Sequence, residues 1–476
     1  MNKENVRTGI KNTCRRIWWM MMALAVLGLG SCNDDDDNAG VQAYDPSRPV
    51  VISGFTPESG GAGQRLVLYG SNFGNDTAII RLSIGGKPAK VIGVNNESLY
   101  CLVPEKAYDG AIEIRIGGGE NPSVATTEEV FAYERKTVVS TLCGYEDENG
   151  DYQTVDGPFS DCGGFQNPSW LSFDPEDPQL LWMAQDGGNI RLLNFRDSTV
   201  TTPITRGMGN WDRLRTIDWT IDGQYMIVAN DQGGENDIST SILSRANNFK
   251  DPQVMTRYKQ CNGASIHPVN GELYFNSYEK GQFYRYDMDR YFKGELGVKD
   301  YEELFKIQDN GWEFNIRIHP SGNYAYIVVI NQHYILRTDY NWDRKTFTSP
   351  YLVCGEGRTS GWVDGVGSSA RLNNPYQGVF VKNPDYAGKT DEYDFYFTEQ
   401  GNHDIRILTP EGKVTTFAGR GSSSVNSNPY GYIDGDLREE ARFDQPKGLA
   451  YDEEHQVFYV GDAENHRVRK IALEDE

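Results

Sequence analysis

The amino-acid sequence predicts an all-β fold built from two different modules, and two patterns carry this prediction. Between Pro49 and about Tyr133, short β-rich runs alternate with glycine-rich turns, which is typical of a β-sandwich. From about Lys136 onward the chain repeats a longer unit, at the spacing of four-stranded propeller blades. We therefore expect a β-sandwich followed by a six-bladed β-propeller.

The first 31 residues have the layout of a secretory signal. Five basic residues between Lys3 and Arg16 precede an apolar run from Ile17 to Leu29, which is shorter than the roughly 20 residues that span a bilayer. The sequence Leu29-Gly30-Ser31-Cys32 resembles the lipobox of bacterial lipoproteins. This resemblance implies that Cys32 is lipidated and becomes the mature N-terminus. An ordinary cleaved signal with a chance cysteine is the alternative.

Residues 32–48 are expected to form an acidic, flexible tether. Asp34 to Asp37 are four adjacent like charges, which repel one another and stay solvated. An acidic run directly after the lipidated cysteine resembles the export signal of surface lipoproteins in Gram-negative glycan-utilisation systems. It implies an outer-membrane, lipid-anchored and surface-exposed protein, whereas the simpler interpretation is a spacer.

Residues 49–134 form the first predicted module. Its runs include Ile52 to Pro57, Leu66 to Gly74, Ile84 to Ala89 and a last strand from Ala111 to Ile116. The glycines between them suit tight hairpins that need positive φ. The succession resembles the IPT/TIG family of immunoglobulin-like domains, which implies a spacer or docking module.

Residues 135–476 contain the repeat. Its clearest copy runs from Phe443 to Ile471 and a second from Asn374 to Ile407, with an Asn-His pair at Asn465 and at Asn402. Both resemble the NHL repeat. Equivalent apolar positions recur at intervals of about 46, 47, 52, 63 and 70 residues, at Leu171, Ile217, Ala264, Ile316, Val379 and Leu449. These six positions predict six blades.

The ring is expected to close through its own first strand. The last blade has only three strands by Ile471, and the run from Val138 to Leu142 resembles the outer strands of other copies. We therefore predict that Val138–Leu142 supplies the fourth strand, which removes an exposed sheet edge.

Candidate ligand-binding residues lie on the propeller face formed by the loops that enter the inner strands. Flat aromatic rings beside carboxylates and amides suit a sugar, whose apolar ring face stacks while its hydroxyls form hydrogen bonds. The aromatic candidates are Trp211, Tyr258, Tyr278, Trp312, Trp362, Tyr376 and Tyr430, and the polar ones are Asp186, Asn189, Asp231, Glu235, Asn331, His333, Glu399, Asn402, Asp462 and Asn465. Aromatic residues at blade ends also wedge between blades, so packing is the alternative for each.

Several other residues have a structural explanation. His403 and His466 fall at the Asn-His position of the repeat, where side chains hold the blade turn, and His267 and His319 precede prolines on the opposite face. The recurring Asp-Gly pairs at Asp156, Asp364 and Asp434 favour turns. We therefore predict no metal site or cofactor, although calcium in the channel is an alternative. The pairing of the cysteines other than Cys14 and Cys32 stays open.

These observations favour a protein that binds a carbohydrate at the cell surface for uptake. A net charge of -22 argues against nucleic acid as a partner, and a membrane contact is expected through the lipid anchor only. The expected partners are a glycan and an outer-membrane importer. No nucleophile elbow, HExxH or nucleotide motif occurs in the sequence, and no catalytic residue is predicted. The alternatives are a protein-interaction scaffold and a propeller lyase or hydrolase.

Overall fold

The structure is a computed structural model that describes residues 42–118, 121–149, 152–422, 424 and 426–474. The predicted signal segment, Cys32 and the acidic run Asp34–Asp37 lie outside these residues. Almost all regular structure in the described part is β-strand, and none of its helices is both long and apolar enough to cross a membrane. The all-β fold class is confirmed.

The described residues up to Arg135 form one compact unit, and Lys136–Glu474 form another. The first unit contains eight strands in the order β1-β3-β6-β5-β4-β7-β8-β2, with antiparallel pairs throughout except between β2 and β8. They are β1 (Val51–Thr56), β2 (Ser59–Gly60), β3 (Arg65–Ser71), β4 (Ile80–Ile84), β5 (Lys87–Asn95), β6 (Ser98–Leu102), β7 (Gly110–Ile116) and β8 (Ser123–Tyr133). Alternation buries one side-chain row per strand, including Leu66 and Leu68 of β3, in a common apolar core.

The structure differs from the sequence prediction at both ends of this unit. The strand Ala111–Ile116 is not the last one, because β8 follows it and pairs with β7. Part of the predicted tether is also attached to the domain. The side chain of Asn72 donates to the carbonyls of Asp45 and Arg48 at 2.9 Å each, and Tyr44 packs against the core. Residues 44–48 are therefore held by defined contacts.

The second unit is a six-bladed propeller, as predicted, and its blades are numbered in chain order. Blade 1 contains β10 (Gly157–Pro158), β11 (Pro168–Phe173), β12 (Leu180–Gln185), β13 (Ile190–Asn194) and β14 (Thr199–Ile204). Blade 2 contains β15 (Arg213–Trp219), β16 (Tyr225–Asp231), β17 (Ile238–Ser244) and β18 (Gln253–Arg257). Blade 3 contains β19 (Ala264–Ile266), β20 (Leu273–Ser277), β21 (Gln282–Tyr286) and β22 (Glu302–Lys306).

Blades 4 to 6 complete the ring. Blade 4 contains β23 (Phe314–Ile318), β24 (Tyr324–Val329), β25 (Tyr334–Asn341), β26 (Thr346–Phe347) and β27 (Tyr351–Gly355). Blade 5 contains β28 (Gly365–Val366), β29 (Pro375–Lys382), β30 (Tyr393–Glu399), β31 (Asp404–Leu408) and β32 (Lys413–Ala418). Blade 6 contains β33 (Gly435–Asp436), β34 (Pro446–Asp452), β35 (Val457–Asp462) and β36 (Arg467–Leu473), together with β9 (Thr137–Cys143).

Short helices connect some of these strands. The α-helix α1 (Met288–Phe292) lies in blade 3, and 3-10 turns occupy Thr77–Ile79, Arg206–Met208, Arg245–Asn247, Tyr278–Lys280, Ile330–Gln332, Gly367–Ser369, Pro384–Tyr386 and Gln400–Asn402.

The ring closes as the sequence predicted. Strand β9 pairs antiparallel with β36, from Thr137 opposite Leu473 to Cys143 opposite Val468. Apolar side chains fill the space between successive blades and form the separate cores. The exposed edges that the first and last strands would otherwise leave therefore form backbone hydrogen bonds with each other.

The Asp-Gly pairs hold an additional short strand against blades 1, 5 and 6. In blade 5 the carboxylate of Asp364 accepts hydrogen bonds from Thr416 of β32 and from the buried Arg406 at 2.9 Å. Asp156 and Asp434 make the same pair of contacts, with Arg191 and Arg469 as the arginines. These aspartates therefore cross-link strands as well as forming turns.

Candidate binding site

The innermost strands of the six blades are β11, β15, β19, β23, β29 and β34, and each contacts the next around a closed ring. All six begin at one end of the ring, which we call the channel mouth. The second strands of the blades end there, so the residues just before each inner strand and just after each second strand meet at the mouth. This is the face on which the sequence pattern places the candidate residues.

Side chains from different blades meet across the interior of the ring below the mouth. The amide of Gln377 in blade 5 donates to the carbonyl of Leu171 in blade 1 at 2.7 Å and accepts from the backbone N–H groups of Leu171 and Leu449 at 2.9 Å. The buried indole of Trp170 donates to the carbonyl of Ile217 in blade 2. A ligand would therefore be held at the mouth above these side chains.

Charged side chains from three blades form an ion-pair network at the mouth, which we call the mouth cluster (Asp186, Arg213, Arg215, Asp231 and Glu313). Arg213 donates to both carboxylate oxygens of Asp186 at 2.8 Å and to Asp231 at 3.3 Å. Arg215 donates to Asp186 at 2.8 Å and to Glu313, which precedes the inner strand of blade 4. The network thus joins blades 1, 2 and 4.

The remaining blades add polar groups around this cluster. Tyr278 of blade 3 donates through its hydroxyl to Asp231 at 3.3 Å. Tyr376 of blade 5 is buried and lies beneath the ammonium group of Lys447 from blade 6, which is 5.8 Å from the ring centroid. Lys447 also donates to Asn167 at 2.9 Å. All six blades therefore contribute to one polar site.

Backbone irregularities explain how polar side chains enter an apolar strand. The register of the inner strand shifts between Leu214 and Thr216 in blade 2 and between Pro446 and Gly448 in blade 6. The residues at these bulges are Arg215 and Lys447. A bulge inserts one extra residue and redirects its side chain, so a buried strand can present a cation at the mouth.

Burial and charge act against each other on the acids of the cluster. Burial alone would raise the pKa of Asp186, but hydrogen bonds from Arg213 and the charge of Arg215 hold it below its usual value. Burial raises the pKa of Asp231 above its usual value, in spite of the two arginines. Burial also lowers the pKa of Lys447. With Lys447, the cluster has three cations and three anions.

The mouth retains unused hydrogen-bonding capacity. Within the described part of the chain, Nε of Arg215, Nδ2 of Asn262, Oγ of Ser277 and Oδ1 of Asn315 are buried without a hydrogen-bond partner. Asn262 and Ser277 lie at the mouth ends of β19 and β20, and Asn315 is the second residue of β23. Buried polar groups of this kind need partners, which a hydroxyl-rich ligand or ordered water supplies.

Two side chains of this region are accessible to a ligand. Arg213 is 40% exposed, although it is the centre of the network, whereas Arg215 is buried. Trp312, which directly precedes Glu313 in the chain, is 41% exposed.

The structure brings together four of the predicted site residues, namely Asp186, Asp231, Tyr278 and Tyr376, in the mouth site. Trp312 is adjacent to Glu313 in sequence. The candidates predicted from the sequence do not include Arg213, Arg215, Glu313 and Lys447, because these residues lie within an inner strand or directly before one. A polar residue two places before the apolar anchor of an inner strand was the available signal for Arg215 and Lys447.

Three predicted aromatic residues pack within or between blades. The indole of Trp211 is buried and donates to Ser241 at 2.9 Å, and that of Trp362 donates to the buried Asp404 at 2.7 Å. Tyr258 packs edge-on against Tyr284. These positions match the packing alternative.

Glu399 does not lie on the face, contrary to the prediction. Its side chain is fully buried and accepts hydrogen bonds from Arg406 at 2.7 Å, Asn402 at 2.8 Å and the backbone of Asn373 at 2.6 Å. In blade 6, Asp462 makes equivalent bonds to Arg469 and Asn465. These acids hold the second and third strands of their blades together.

The remaining polar candidates have local roles. Asn189 accepts from the backbone of Arg206, His333 accepts from Asn374, and Glu235 lies 3.9 Å from Lys259. Tyr430 is exposed and packs beside His403, whose ring accepts from Gln445 of the next blade. In the described ranges, no three His, Cys, Asp and Glu side chains are grouped so that they could hold a metal ion.

Comparisons with known proteins agree with this architecture. The family model described as "IPT/TIG domain" matches residues 49–133, and the "NHL repeat" model matches residues 443–471. This is therefore a protein that joins an IPT/TIG domain to a six-bladed propeller with NHL-type repeat sequence.

Solved structures from Bacteroides are similar over most of the chain. A protein of Bacteroides thetaiotaomicron VPI-5482 described as an auxiliary nutrient binding protein is 50% identical, with a TM-score of 0.84 over 91% of this chain and 100% of that one. Another from the same organism, described as a putative phosphatase, is 45% identical, with a TM-score of 0.83 over 91% and 99%. An auxiliary nutrient binding protein of Bacteroides ovatus ATCC 8483 is 38% identical, with a TM-score of 0.70 over 91% and 100%. The chain belongs to the family of these Bacteroides proteins.

A curated relative matches a smaller part. Human NHL repeat-containing protein 2 is 32% identical over 116 residues, which are 24% of this chain and only 14% of that protein.

Proposed function

We propose that this protein binds a nutrient, and that the nutrient is a carbohydrate held at the channel mouth. The observation that carries the proposal is the mouth cluster together with the polar groups around it, through which all six blades contribute to one accessible site. The two family members described as auxiliary nutrient binding proteins support the nutrient-binding part of the proposal.

The chemistry of the mouth suits a neutral, hydroxyl-rich ligand. Because the three cations and three anions balance, the site offers no strong net attraction for a charged molecule. Its arginines donate and its carboxylates accept, so that both hydrogen-bonding roles of a sugar hydroxyl can be met. The exposed Trp312 supplies the flat apolar surface against which a pyranose ring stacks.

The experiment is calorimetric titration of the mature chain against plant, host and microbial oligosaccharides. Once a ligand is found, Trp312→Ala should weaken binding about tenfold, which is roughly 1.4 kcal/mol, through loss of stacking. Arg213→Gln should weaken it at least as much. The matched control is Trp342→Ala, because Trp342 is 45% exposed but packs near His267 at the opposite end of the ring.

Two outcomes decide the proposal. If the Trp312 and Arg213 variants bind the ligand with unchanged affinity, the ligand does not bind at the mouth. Failure to bind any glycan, together with failure to bind whole cells or mucus, would overturn the carbohydrate proposal.

We further propose lipid anchoring at Cys32, display on the outer membrane surface and delivery of the ligand to an importer. The signal layout, the Cys32 motif and the acidic run support this. Metabolic labelling with an acyl probe, compared between the wild type and Cys32→Ala, tests the anchor, and protease treatment of whole cells tests the exposure.

A second candidate is a protein-docking scaffold, favoured by exposed tyrosines on the loops at the mouth. Tyr145 is 61% exposed, and Tyr430 and Tyr432 are about half exposed. A stoichiometric membrane partner retained by Trp312→Ala but lost by Tyr145→Ala would favour this role.

A further inference from the structure

The junction between blades 6 and 1 contains two cysteines in one apolar core. Cys143 is the last residue of the closing strand β9, and Cys162 follows the short strand β10. Both residues are 3% exposed and belong to the same hydrophobic cluster, and each thiol is close enough to the other to shift its pKa. The Cys162 thiol also donates to the carbonyl of Phe159 at 3.9 Å.

The repeat shows that this arrangement is special to one junction. Each of three junctions has an outer strand ending in a small residue before a positive-φ glycine, and a second small residue after the Asp-Gly strand. At the junction of blades 4 and 5 these residues are Cys354 and Ala370, and at that of blades 5 and 6 they are Ala418 and Ala441. Both members are cysteine only at Cys143 and Cys162.

A third position differs at the same place. In blades 5 and 6, a buried acid pairs with Arg406 or Arg469. The equivalent residue in blade 1 is Gln185, so Arg191 keeps a single carboxylate partner, the half-exposed Asp156. Among the described residues, Nε and Nη1 of Arg191 are buried without a hydrogen-bond partner. A neutral residue has thus replaced the internal acid where the two thiols lie.

This arginine acts on the sulfur atoms. The hydrogen bond from the Cys143 thiol, with smaller contributions from the Gly144 N–H and the charge of Arg191, lowers the pKa of Cys162 to about 7 in spite of burial. Burial and the Cys162 neighbour raise the pKa of Cys143 well above its usual value. One thiol is therefore prepared to react as a thiolate while the other keeps its proton.

We propose that Cys143 and Cys162 are a redox pair that forms an intramolecular disulfide, with Cys162 as the thiol that reacts first. The Cys162 thiolate attacks a small-molecule or protein disulfide and forms a mixed disulfide, and one thiolate leaves. Cys143 then loses its proton to that leaving thiolate and attacks Sγ of Cys162, which expels the second donor thiolate. Two thiols of this protein are oxidised by two electrons, and one donor disulfide is reduced to two thiols.

The bond would tie the end of the closing strand to the segment that enters blade 1. Since both sulfur atoms are buried in the folded ring, the reaction takes place before the two cysteines are packed, during folding or local opening. The product fixes Cys162 and the neighbouring Asp156 cross-link against the blade 6 edge.

The test is thiol counting on the full mature chain with Cys32→Ser, refolded with oxidised glutathione. Five cysteines then remain. The protein that keeps both Cys143 and Cys162 should show about three free thiols in denaturant. It should also yield a disulfide-linked peptide that contains Cys143 and Cys162. Cys143→Ala and Cys162→Ala should each show about four, and both should fold, because alanine occupies the equivalent positions in other blades.

A matched pair tests the role assigned to Arg191. Ala370→Cys places a second thiol opposite Cys354, in a blade whose Arg406 has two carboxylate partners. The comparison uses two reduced proteins at pH 7 that both carry Cys101→Ala and Cys261→Ala. One keeps Cys143 and Cys162 and carries Cys354→Ala, and the other keeps Cys354 beside Ala370→Cys and carries Cys143→Ala and Cys162→Ala. The Cys143 and Cys162 pair should react with a mixed-disulfide reagent at least tenfold faster than the introduced pair.

Either of two results would overturn the proposal. Five free thiols after oxidative refolding, with folding verified by fluorescence, would exclude the disulfide. Equal reactivity of the two thiol pairs would exclude Cys162 as the activated thiol.

Discussion

Removing the buried arginine of blade 6 should destabilise the propeller strongly. Arg469 is completely buried and donates to Asp462 at 2.8 Å, to Asp434, and to the carbonyls of Ile433 and Arg442. In Arg469→Met the carboxylate of Asp462 stays buried without its cation. Breaking such a pair costs about 3–5 kcal/mol.

The protein offers a selective probe for this measurement. Seven tryptophans lie between Trp170 and Trp362, and residues 49–133 contain none. Tryptophan fluorescence therefore follows propeller unfolding without a contribution from the first domain. With a urea slope of about 3 kcal/mol per molar, the midpoint should fall by roughly 1–1.7 M.

The pH dependence gives a second, independent check. Burial, opposed by Arg469, raises the pKa of Asp462 to about 6. Without the arginine it rises further, so between pH 6 and that higher value the folded variant holds a proton that the folded wild type has released. The stability deficit must therefore grow as pH rises above 6, by at most about 1.4 kcal/mol per pH unit.

The control is Asp434→Asn, which removes the half-exposed partner of the same arginine. Because Asp434 is screened by solvent, its loss should cost less than about 1 kcal/mol. If Arg469→Met unfolds at the wild-type urea concentration, or if the two variants are equally unstable, the assignment of Asp462 and Arg469 as the internal support of the blade is wrong.

Three further outcomes are expected. Burial lowers the pKa of His267 below its usual 6.5, and Nδ1 accepts from Val269 and Asn270, so stability should fall as pH drops through 6.5 and His267→Gln should reduce this loss in urea titrations. Gln377→Ala leaves three backbone groups of Leu171 and Leu449 without their hydrogen-bond partner and should lower the free energy of unfolding by about 3 kcal/mol, measured by tryptophan fluorescence. An unchanged unfolding midpoint would contradict the role of Gln377 between blades. Asn72→Ala should speed chymotryptic cleavage after Tyr44 about tenfold, and equal rates would show that the 44–48 contacts are dispensable.

The repeating parts of the fold can be predicted from the sequence, since each blade uses the same local pattern. The closing strand Val138–Leu142 is recognisable because its apolar run and its Gly144 reproduce those before Gly355 and Gly419. Strand β8 is not, since its Thr-Thr-Glu-Glu segment lacks the apolar alternation of a half-buried strand.

The mouth site can be predicted only in part, because it depends on contacts between blades. Asp186 follows the second strand of blade 1 and Asp231 ends that of blade 2, so both are placed by the repeat alone. Arg215 and Lys447 lie two places before the apolar anchors of their inner strands, but only the bulges show that their side chains reach the mouth. From its position in the chain, Glu399 is expected to be an exposed acid of a loop. Only its pairing with Arg406 shows that its side chain is buried inside the blade.

The pairing of β9 with β36 imposes an order on folding. The two strands are separated by more than three hundred residues, so the ring stays open until the segment Arg467–Leu473 has been synthesised and has found its partner. Closing so large a loop is entropically costly and has little local structure to guide it, which makes this step slow compared with formation of individual blades. Until then the apolar edge of blade 6 is accessible to other chains, so a helper that shields unpaired strands would act at this stage of folding.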